Sequence, residues 1–211
     1  MIELFGSALV TFLVIIDPPG CAPIFASLTR GTSAAHRRAM AVRSSLIAWL
    51  ILMFFALLGK PMLHAMGISL GSFRIAGGVM LFMIALDMVF ERRTKRREER
   101  AESIEGTPEA EDISVFPMAM PMISGPGSIA SAMLWVSRAD ETAQVAIVLA
   151  AMTVVILITL LCMLAAGPLM RLMGHKMEAM ITRLLGVILA ALAAQFVIDG
   201  IRESFALPLP S

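Results

Sequence analysis

Six stretches of the chain are apolar over about 20 residues, and short polar segments separate them. They cover residues 4–29, 41–59, 69–90, 114–137, 142–166 and 181–201. A helix needs about 20 mostly apolar residues to cross the hydrocarbon core of a bilayer. The pattern therefore predicts an all-α integral membrane protein with six transmembrane helices.

Two of the six stretches are interrupted near their middle. The first contains Asp17, Pro18, Pro19 and Gly20, and the fourth contains Ser124, Gly125, Pro126 and Gly127. Proline lacks an amide hydrogen and glycine is conformationally free, so each tetrad is expected to end one half-helix and begin another. At about 1.5 Å per residue, the half-helices 4–16 and 114–123 each reach about halfway across the membrane, from opposite sides. Both breaks are therefore predicted near the midplane.

The two halves of the chain resemble each other. Each half has a broken span, a plain span and a third span that opens with Arg, two residues and Gly, at Arg74–Gly77 and Arg183–Gly186. Three spans are an odd number, so the second half must lie inverted relative to the first. We expect one repeat at 1–90, a charged linker at 91–113 and a second repeat at 114–211. Inverted repeats with broken helices are typical of transporters, and kinks used only for packing are the alternative.

Composition and charge support the membrane assignment and orient the chain. Hydrophobic residues make up 58% of the 211 residues and charged residues 16%, and the mean hydropathy is +0.85, which excludes an ordinary soluble domain. If the helices alternate, one face carries all the basic residues except Lys60, Arg74, Arg138 and Arg202. The positive-inside rule makes that face cytoplasmic and both termini periplasmic. The 91–113 linker is then a solvated cytoplasmic segment, or a regulatory one.

The breaks supply the candidate site. Backbone amides at 20–22 and 127–129 begin the second half-helices and suit an anion, whereas carbonyls at Ile16 and Ile123 end the first half-helices and suit a cation. A zwitterion, which carries both charges, suits the amides and the carbonyls together. The candidate substrate-binding residues are Asp17, Pro18, Pro19, Gly20, Cys21, Ser124, Gly125, Pro126, Gly127 and Ser128.

Asp17 is the strongest candidate within this set, because an ionisable group at bilayer depth is costly unless it has a partner or a polar cavity. It could bind a substrate amine or carry a proton. Alternatively, it only caps the half-helix that begins at Pro18, and capping is compatible with either of the other roles. Ser124 takes the corresponding place in the second half.

Other polar residues inside the spans are candidates for gating or ion coupling. They are Arg74, Asp87, Arg183, Gln195 and Asp199, together with Asp17. Asp87 and Asp199 either line an entrance or pair with Arg92 and Arg202. Arg74 and Arg183 either snorkel to the interface or form an inward salt bridge. Gln195 is expected to face other helices.

Small residues form a further pattern within the spans. Gly67 with Gly71, and Gly77 with Gly78, are expected to form close-packing faces between helices.

The sequence contains no pattern typical of an enzyme active site or a metal site. We find no paired carboxylates on one helix, no metal-ligand spacing and no Ser with His inside a span. The chain is therefore expected to be no enzyme, to hold no cofactor or metal, and to bind no nucleic acid. Its expected partners are the lipid bilayer and a small solute. H⁺ or Na⁺ as coupling ion, and a homo-oligomer, are left open.

The chain resembles the MarC family of bacterial and archaeal inner-membrane proteins in three segments, "FLVIIDPPGCAPIFASLT", "FRIAGGVMLFMIALDM" and "PMAMPMISGPGSIA". The resemblance covers essentially all six predicted helices. It implies a six-helix inner-membrane protein related in topology to the LysE-type exporters, and an association with transport of small neutral amino acids. The family's break is kept at Asp17, Pro18 and Gly20, and its second Gly-Pro-Gly at 125–127. On this basis the 91–113 segment puts none of the site residues in doubt.

The leading hypothesis is a secondary transporter or exporter of a small, amino-acid-like solute, bound at the midplane between the two breaks. The alternative is a non-transporting membrane scaffold or regulator that acts through the 91–113 segment.

Overall fold

The computed structural model describes residues 1–92, 96, 97, 99, 112–139 and 141–205, with only the backbone of 170–176 and 178. The described chain is helical, with no β-strand in these ranges. Most of the predicted 91–113 linker lies outside the described residues. The fold class predicted from the sequence, an all-α protein, is therefore confirmed for the described part.

Seven α-helices and one π-type segment follow one another along the described chain. They are α1 (Ile2–Ile16), α2 (Pro18–Leu28), α3 (Ala34–Ala65), α4 (Leu70–Val89), the π-type segment (Ser114–Ile123), α5 (Pro126–Ser137), α6 (Thr142–Leu164) and α7 (Ala166–Phe205).

Five helical segments of the described chain are long and apolar enough to cross a membrane. They are Ile2–Leu28, Ala34–Ala65, Leu70–Val89, Thr142–Leu164 and Ala179–Phe205. The remaining predicted span, 114–137, is divided between the π-type segment and α5, and neither part is long enough alone. That this stretch forms a sixth span stays a prediction.

Two predicted helices have different bounds in the structure. The helix predicted at 41–59 extends to Ala34–Ala65, and the one predicted at 181–201 extends to Ala166–Phe205. Hydropathy detects only the apolar part of a helix, whereas the backbone ladder continues through polar residues until a breaker ends it. No proline stands between Pro168 and Pro208, so nothing interrupts α7 at the connection predicted there.

The half-helix predicted at 114–123 is not a regular α-helix. Its backbone hydrogen bonds join residues five positions apart, as from the Met118 amide to the Ile113 carbonyl at 3.3 Å. Phe116 and Met120 have extended backbones. Pro117 and Pro121 lack amide hydrogens, so an uninterrupted α-helical ladder cannot form there.

Helices α4 and α7 run antiparallel and form the largest interface between described elements. Their backbones touch at glycines. A Cβ atom on Gly200 would lie 2.7 Å from the Gly71 carbonyl oxygen, and one on Gly78 would lie 2.8 Å from the Ala193 carbonyl oxygen. Gly71 and Gly78 thus form the close-packing face that the sequence predicted, as small residues do where backbones approach closely. Gly67 does not, because it lies in a turn with φ +69° and nothing within 4 Å.

Each broken stretch packs against helices from the other half of the chain. Helices α1 and α2 contact α6 and α7, whereas the π-type segment contacts α3, and α5 contacts α3 and α4. The two breaks are therefore enclosed by helices of both halves. We call the end of the bundle at which α4 ends the linker end, and the end at which α4 begins the far end.

Gly200→Ala is expected to destabilise the protein, since the added methyl group meets backbone atoms of α4 that cannot rotate away. Overpacking of this kind costs about 1–3 kcal/mol, so the Tm in detergent should fall by about 2 °C or more. Gly6→Ala is the matched control, because a Cβ on Gly6 in α1 meets nothing within 4 Å. Equal Tm values for the two variants would contradict the close contact of α4 with α7.

Candidate functional site

Asp17 stands between α1 and α2 and shapes the first break. Its backbone adopts the left-handed conformation, with φ 58° and ψ 66°, which Asp tolerates better than most residues. Its Oδ1 accepts a hydrogen bond from the Gly20 amide at 3.2 Å. Asp17 is therefore the N-cap of α2, as one sequence-based interpretation held, with Pro18 in the first turn.

The amides predicted to be free in the first break are not all free. The Gly20 amide is bonded to the Asp17 carboxylate, and the Cys21 amide donates to the Asp17 backbone carbonyl at 3.0 Å. The Cys21 thiol faces the Ile16 carbonyl at 3.4 Å. The prediction that these two amides await an anion was wrong, because Asp17 already supplies the acceptors.

The second Asp17 carboxylate oxygen pairs with Arg97. The Arg97 Nη1 lies 3.2 Å from Asp17 Oδ2, and the two side chains are only 10% and 3% exposed. The Arg97 Nη2 also lies 3.5 Å from the carbonyl oxygens of both Ile16 and Met122. One guanidinium therefore contacts both broken stretches, at the points where their first parts end.

A cavity of about 240 Å³ adjoins this ion pair. Both broken stretches, α4 and the linker contribute to its wall, which is formed by Ile15, Ile84, Asp87, Arg96, Arg97, Pro121, Met122, Gly125, Pro126, Gly127 and Ser128. Asp17 is not among these residues, because the Arg97 side chain lies between its carboxylate and the cavity. The predicted residues Pro18, Pro19, Gly20 and Cys21 likewise lie outside the wall.

The second break faces the cavity directly. Gly125, Pro126, Gly127 and Ser128 all line it, and Pro126 opens α5 as predicted. The Ser124 hydroxyl is buried and donates to the Ala119 carbonyl at 2.7 Å, so it closes the π-type segment. The Ile129 amide, which was predicted to be free, donates to the Gly125 carbonyl at 3.0 Å, so that part of the prediction was wrong. The Gly127 and Ser128 amides precede this first bond of the α5 ladder, and the first turn of α5 is the one helix N-terminus on the described cavity wall.

Asp87 lies at the linker end of the cavity and is held by Arg96. The two guanidinium nitrogens of Arg96 lie 2.8 Å and 3.1 Å from the two carboxylate oxygens. The sequence predicted either an entrance residue or a pair with Arg92. Asp87 both lines the cavity and forms a pair, but its partner is Arg96.

Asp199 forms a second cluster at the far end. It pairs with Arg138, and not with the predicted partner Arg202. The Arg138 guanidinium lies over the Phe196 ring at 4.3 Å, and Trp135 meets Phe196 edge to face at 6.1 Å. This cation, carboxylate and aromatic cluster ties the end of α5 to α7.

Gln195 belongs to the same cluster but differs from its prediction. Its amide donates to Asp199 Oδ1 at 2.7 Å, one helical turn along α7. The side chain is exposed on the bundle surface, so the expectation that it faces other helices was wrong. A single polar residue in an apolar stretch gives no angular position on the helix.

Arg74 and Arg183 form ion pairs at opposite ends of the α4–α7 interface. Arg74 lies 2.5 Å from Glu203 and is 15% exposed, whereas Arg183 lies 2.5 Å from Glu91 and is 55% exposed. Arg74 thus fits the predicted salt bridge between helices. Arg183 is paired but more exposed, so the structure does not place it inside the bundle.

Arg96 and Arg97 are the site residues that sequence reasoning missed. They belong to the 91–113 segment, in which no site residue was predicted, and both line the cavity. A buried carboxylate requires a compensating charge, and the basic run after α4 is a nearby source. The run contains Arg92, Arg93, Lys95, Arg96, Arg97 and Arg100, and its sequence does not reveal which member turns inward.

The start of the π-type segment is anchored at the surface by Asp112. The Ser114 amide donates to Asp112 Oδ1 at 3.0 Å, and Arg43 pairs with Oδ2. Hydrogen bonding from Ser114 and the charge of Arg43 lower the pKa of Asp112. Within the described residues, no group of three or more His, Cys, Asp or Glu side chains is arranged to hold a metal ion.

Comparison with known proteins gives consistent matches along the chain. A family model described as MarC family integral membrane protein matches residues 2–205. A UPF0056 membrane protein of Archaeoglobus fulgidus is 34% identical over 204 residues, which cover 96% of this chain and 94% of the relative. The UPF0056 inner membrane protein YhgN of Escherichia coli is 32% identical over 196 residues, covering 93% and 95%. No solved structure matches significantly.

Asp17→Asn and Asp17→Ala are expected to separate the cap from the ion pair. Asparagine keeps the N-cap and tolerates the left-handed backbone but leaves Arg97 without a counter-charge. Alanine loses both, so Tm should fall in the order wild type, Asp17→Asn, Asp17→Ala. The alanine variant should be about 1–3 kcal/mol less stable than the asparagine variant.

Glu3→Gln is the control for these two variants, since it amidates an exposed carboxylate and should change stability by less than about 0.5 kcal/mol. If Asp17→Asn were as stable as wild type, the ion pair would contribute nothing. If the two Asp17 variants had the same Tm, the cap would be refuted.

Proposed function

Because the chain belongs to the MarC family of integral membrane proteins, we propose that it is a secondary transporter or exporter of a small solute. The expected solute is a small neutral amino acid. The observation that carries the proposal is the buried Asp17–Arg97 pair, which joins the first break to the second broken stretch beside a cavity that the second break lines. Broken helices that meet at a polar site inside an apolar bundle are typical of secondary transporters.

The size and lining of the cavity support a small zwitterion. Its volume of about 240 Å³ is well above the ~10–15 Å³ that a single water molecule requires. The first turn of α5 favours a carboxylate there. The Asp87 carboxylate lines the linker end of the cavity, and the Asp17 carboxylate lies outside the wall, against Arg97. Both favour a cationic group, though each is paired with an arginine.

The packing supports two inverted repeats that move relative to each other. Each broken stretch contacts helices of the other half, and α4 and α7, the corresponding third helices, pack against each other antiparallel. We propose that the π-type segment and α5 together form the sixth span. The basic residues orient the linker end toward the cytoplasm and both termini toward the periplasm of a bacterial inner membrane.

The two ends of the site differ in a way that suits alternating access. At the linker end the cavity is bounded by Arg96 and Asp87, and Arg96 is 66% exposed. At the far end, Arg138, Asp199, Trp135 and Phe196 lie packed between α5 and α7. The arrangement corresponds to a state that opens to the cytoplasm. H⁺ or Na⁺ as coupling ion would be carried at Asp17 or Asp87.

In proteoliposomes, the wild-type protein is expected to accelerate the flux of at least one small neutral amino acid over empty liposomes. Asp17→Asn should reduce that flux by about tenfold or more, because the variant loses the carboxylate beside the cavity. Glu3→Gln is the control, since it amidates an exposed carboxylate outside the cavity wall and should retain flux. If wild type moves no amino acid of the panel faster than empty liposomes, the proposal fails for those solutes.

Replacing residues 100–110 with a Gly/Ser segment of equal length distinguishes transport from the scaffold alternative. Arg96, Arg97 and the Asp112 anchor remain, so a transporter should keep its flux within about twofold of wild type, as its cavity wall is unchanged. Flux and unfolding midpoint are measured on the same preparation. A replacement that folds normally but loses flux would favour a function that resides in the linker itself.

A further inference from the structure

Arg97 occupies a place that has the chemistry of a cation site. Three acceptors converge there, the Asp17 carboxylate, the Ile16 carbonyl and the Met122 carbonyl. Ile16 ends α1, where the helix dipole is negative. The ends of α1 and of the π-type segment thus direct one carbonyl each at the same point. Together with the Asp17 carboxylate, these carbonyls attract a positive charge, whether it belongs to Arg97 or to a ligand.

The Arg97 guanidinium fits these acceptors loosely. Its contacts are 3.2, 3.5 and 3.5 Å long, whereas charge-assisted hydrogen bonds usually measure about 2.7–2.9 Å. A guanidinium is planar and broad, and an ammonium group is compact, with three donors. A small ammonium group could approach all three acceptors more closely than Arg97 does.

Arg97 also stands beside the two acceptors that do not line the cavity, Asp17 and Ile16, whereas Met122 is part of the cavity wall. The Arg97 side chain lines the wall too, and the Asp17 carboxylate with which it pairs is 3% exposed. The adjacent residue Arg96 is held by Asp87 at the linker end. Outward movement of Arg97 would connect Asp17 and Ile16 to the cavity beside Met122 and the first turn of α5.

We propose that Asp17, Ile16 and Met122 form a subsite for the ammonium group of the solute, and that Arg97 is a tethered cation that fills this subsite until the solute displaces it. This rests on the proposed transport function and narrows the solute to molecules with a small ammonium group. Arg97 is then an inhibitory element, and its loss should increase the apparent affinity for solute.

The subsite is tested without transport, by the Tm of purified Arg97→Ala in detergent. Loss of Arg97 leaves Asp17 buried without a counter-charge, so the Tm should fall by about 5 °C or more. Ethylammonium chloride should restore it by about 3 °C or more beyond NaCl of equal ionic strength, once its concentration is about ten times Kd. Wild type should respond more weakly, with a specific gain of about 1 °C, because competition by Arg97 raises the apparent Kd for ethylammonium about tenfold.

Three further variants control this measurement. Asp17→Asn combined with Arg97→Ala lacks the carboxylate and should give no specific response to ethylammonium. Arg92→Ala removes a basic residue whose described contact is the Phe90 ring, and it should behave as wild type. Arg97→Gln keeps a long neutral side chain in place, and it substitutes for Arg97→Ala if that variant does not fold.

The inference is overturned if ethylammonium and NaCl give the same Tm in Arg97→Ala and Arg97→Gln, or if the double variant responds as strongly as the single ones. In proteoliposomes, Arg97→Ala should lower the apparent KM for the amino acid, by about tenfold if Arg97 fills the subsite nine-tenths of the time. An unchanged or higher KM counts against the subsite.

The two proposals fail separately. Specific ethylammonium rescue without any flux refutes transport of the tested solutes and leaves the cation subsite standing. Flux with no rescue, and with an unchanged KM in Arg97→Ala, refutes the subsite and leaves transport standing.

Discussion

The compensation of one buried carboxylate is the constraint on which the arrangement of the breaks depends. Asp17 lies in an apolar bundle, where an unpaired charge would be costly. It has two acceptor oxygens, and the structure uses one to cap α2 and the other to pair with Arg97. Because Arg97 also reaches the Met122 carbonyl, the same interaction joins the first break to the second.

The two breaks are related in position but differ in chemistry. The first is closed on itself, since Asp17 satisfies the amides that follow it and Arg97 covers its carboxylate. The second presents Gly127 and Ser128 to the cavity. The first half of the chain therefore supplies the buried carboxylate, and the second half supplies the helix N-terminus. A carboxylate favours a cationic group and a helix N-terminus favours an anionic one, so the two breaks together match the two charges of a zwitterion.

The sequence predicted the helices well where a single physical cause acts. Proline is favoured in the first turn of a helix, so the break at Asp17 and the start of α5 at Pro126 were both located correctly. Pro23 and Pro61, by contrast, lie inside α2 and α3. The bounds of α7 were not, because polar residues end an apolar run without ending a helix. Close packing was predicted for Gly71 and Gly67 alike, but Gly71 lies on the face of α4 that meets α7, whereas Gly67 lies in the turn before α4.

By itself, the sequence determined that the chain is an all-α membrane protein, that two of its apolar stretches are broken, and which residues stand at the breaks. These follow from hydropathy and backbone chemistry, which are local. Only the tertiary structure decided the partners, Arg97 for Asp17, Arg96 for Asp87 and Arg138 for Asp199. Asp17 and Asp199 lie 80 and 61 positions from their partners, so their pairing depends on how distant segments pack. Asp87 lies only nine positions from Arg96, but several arginines of identical charge follow it in the same basic run.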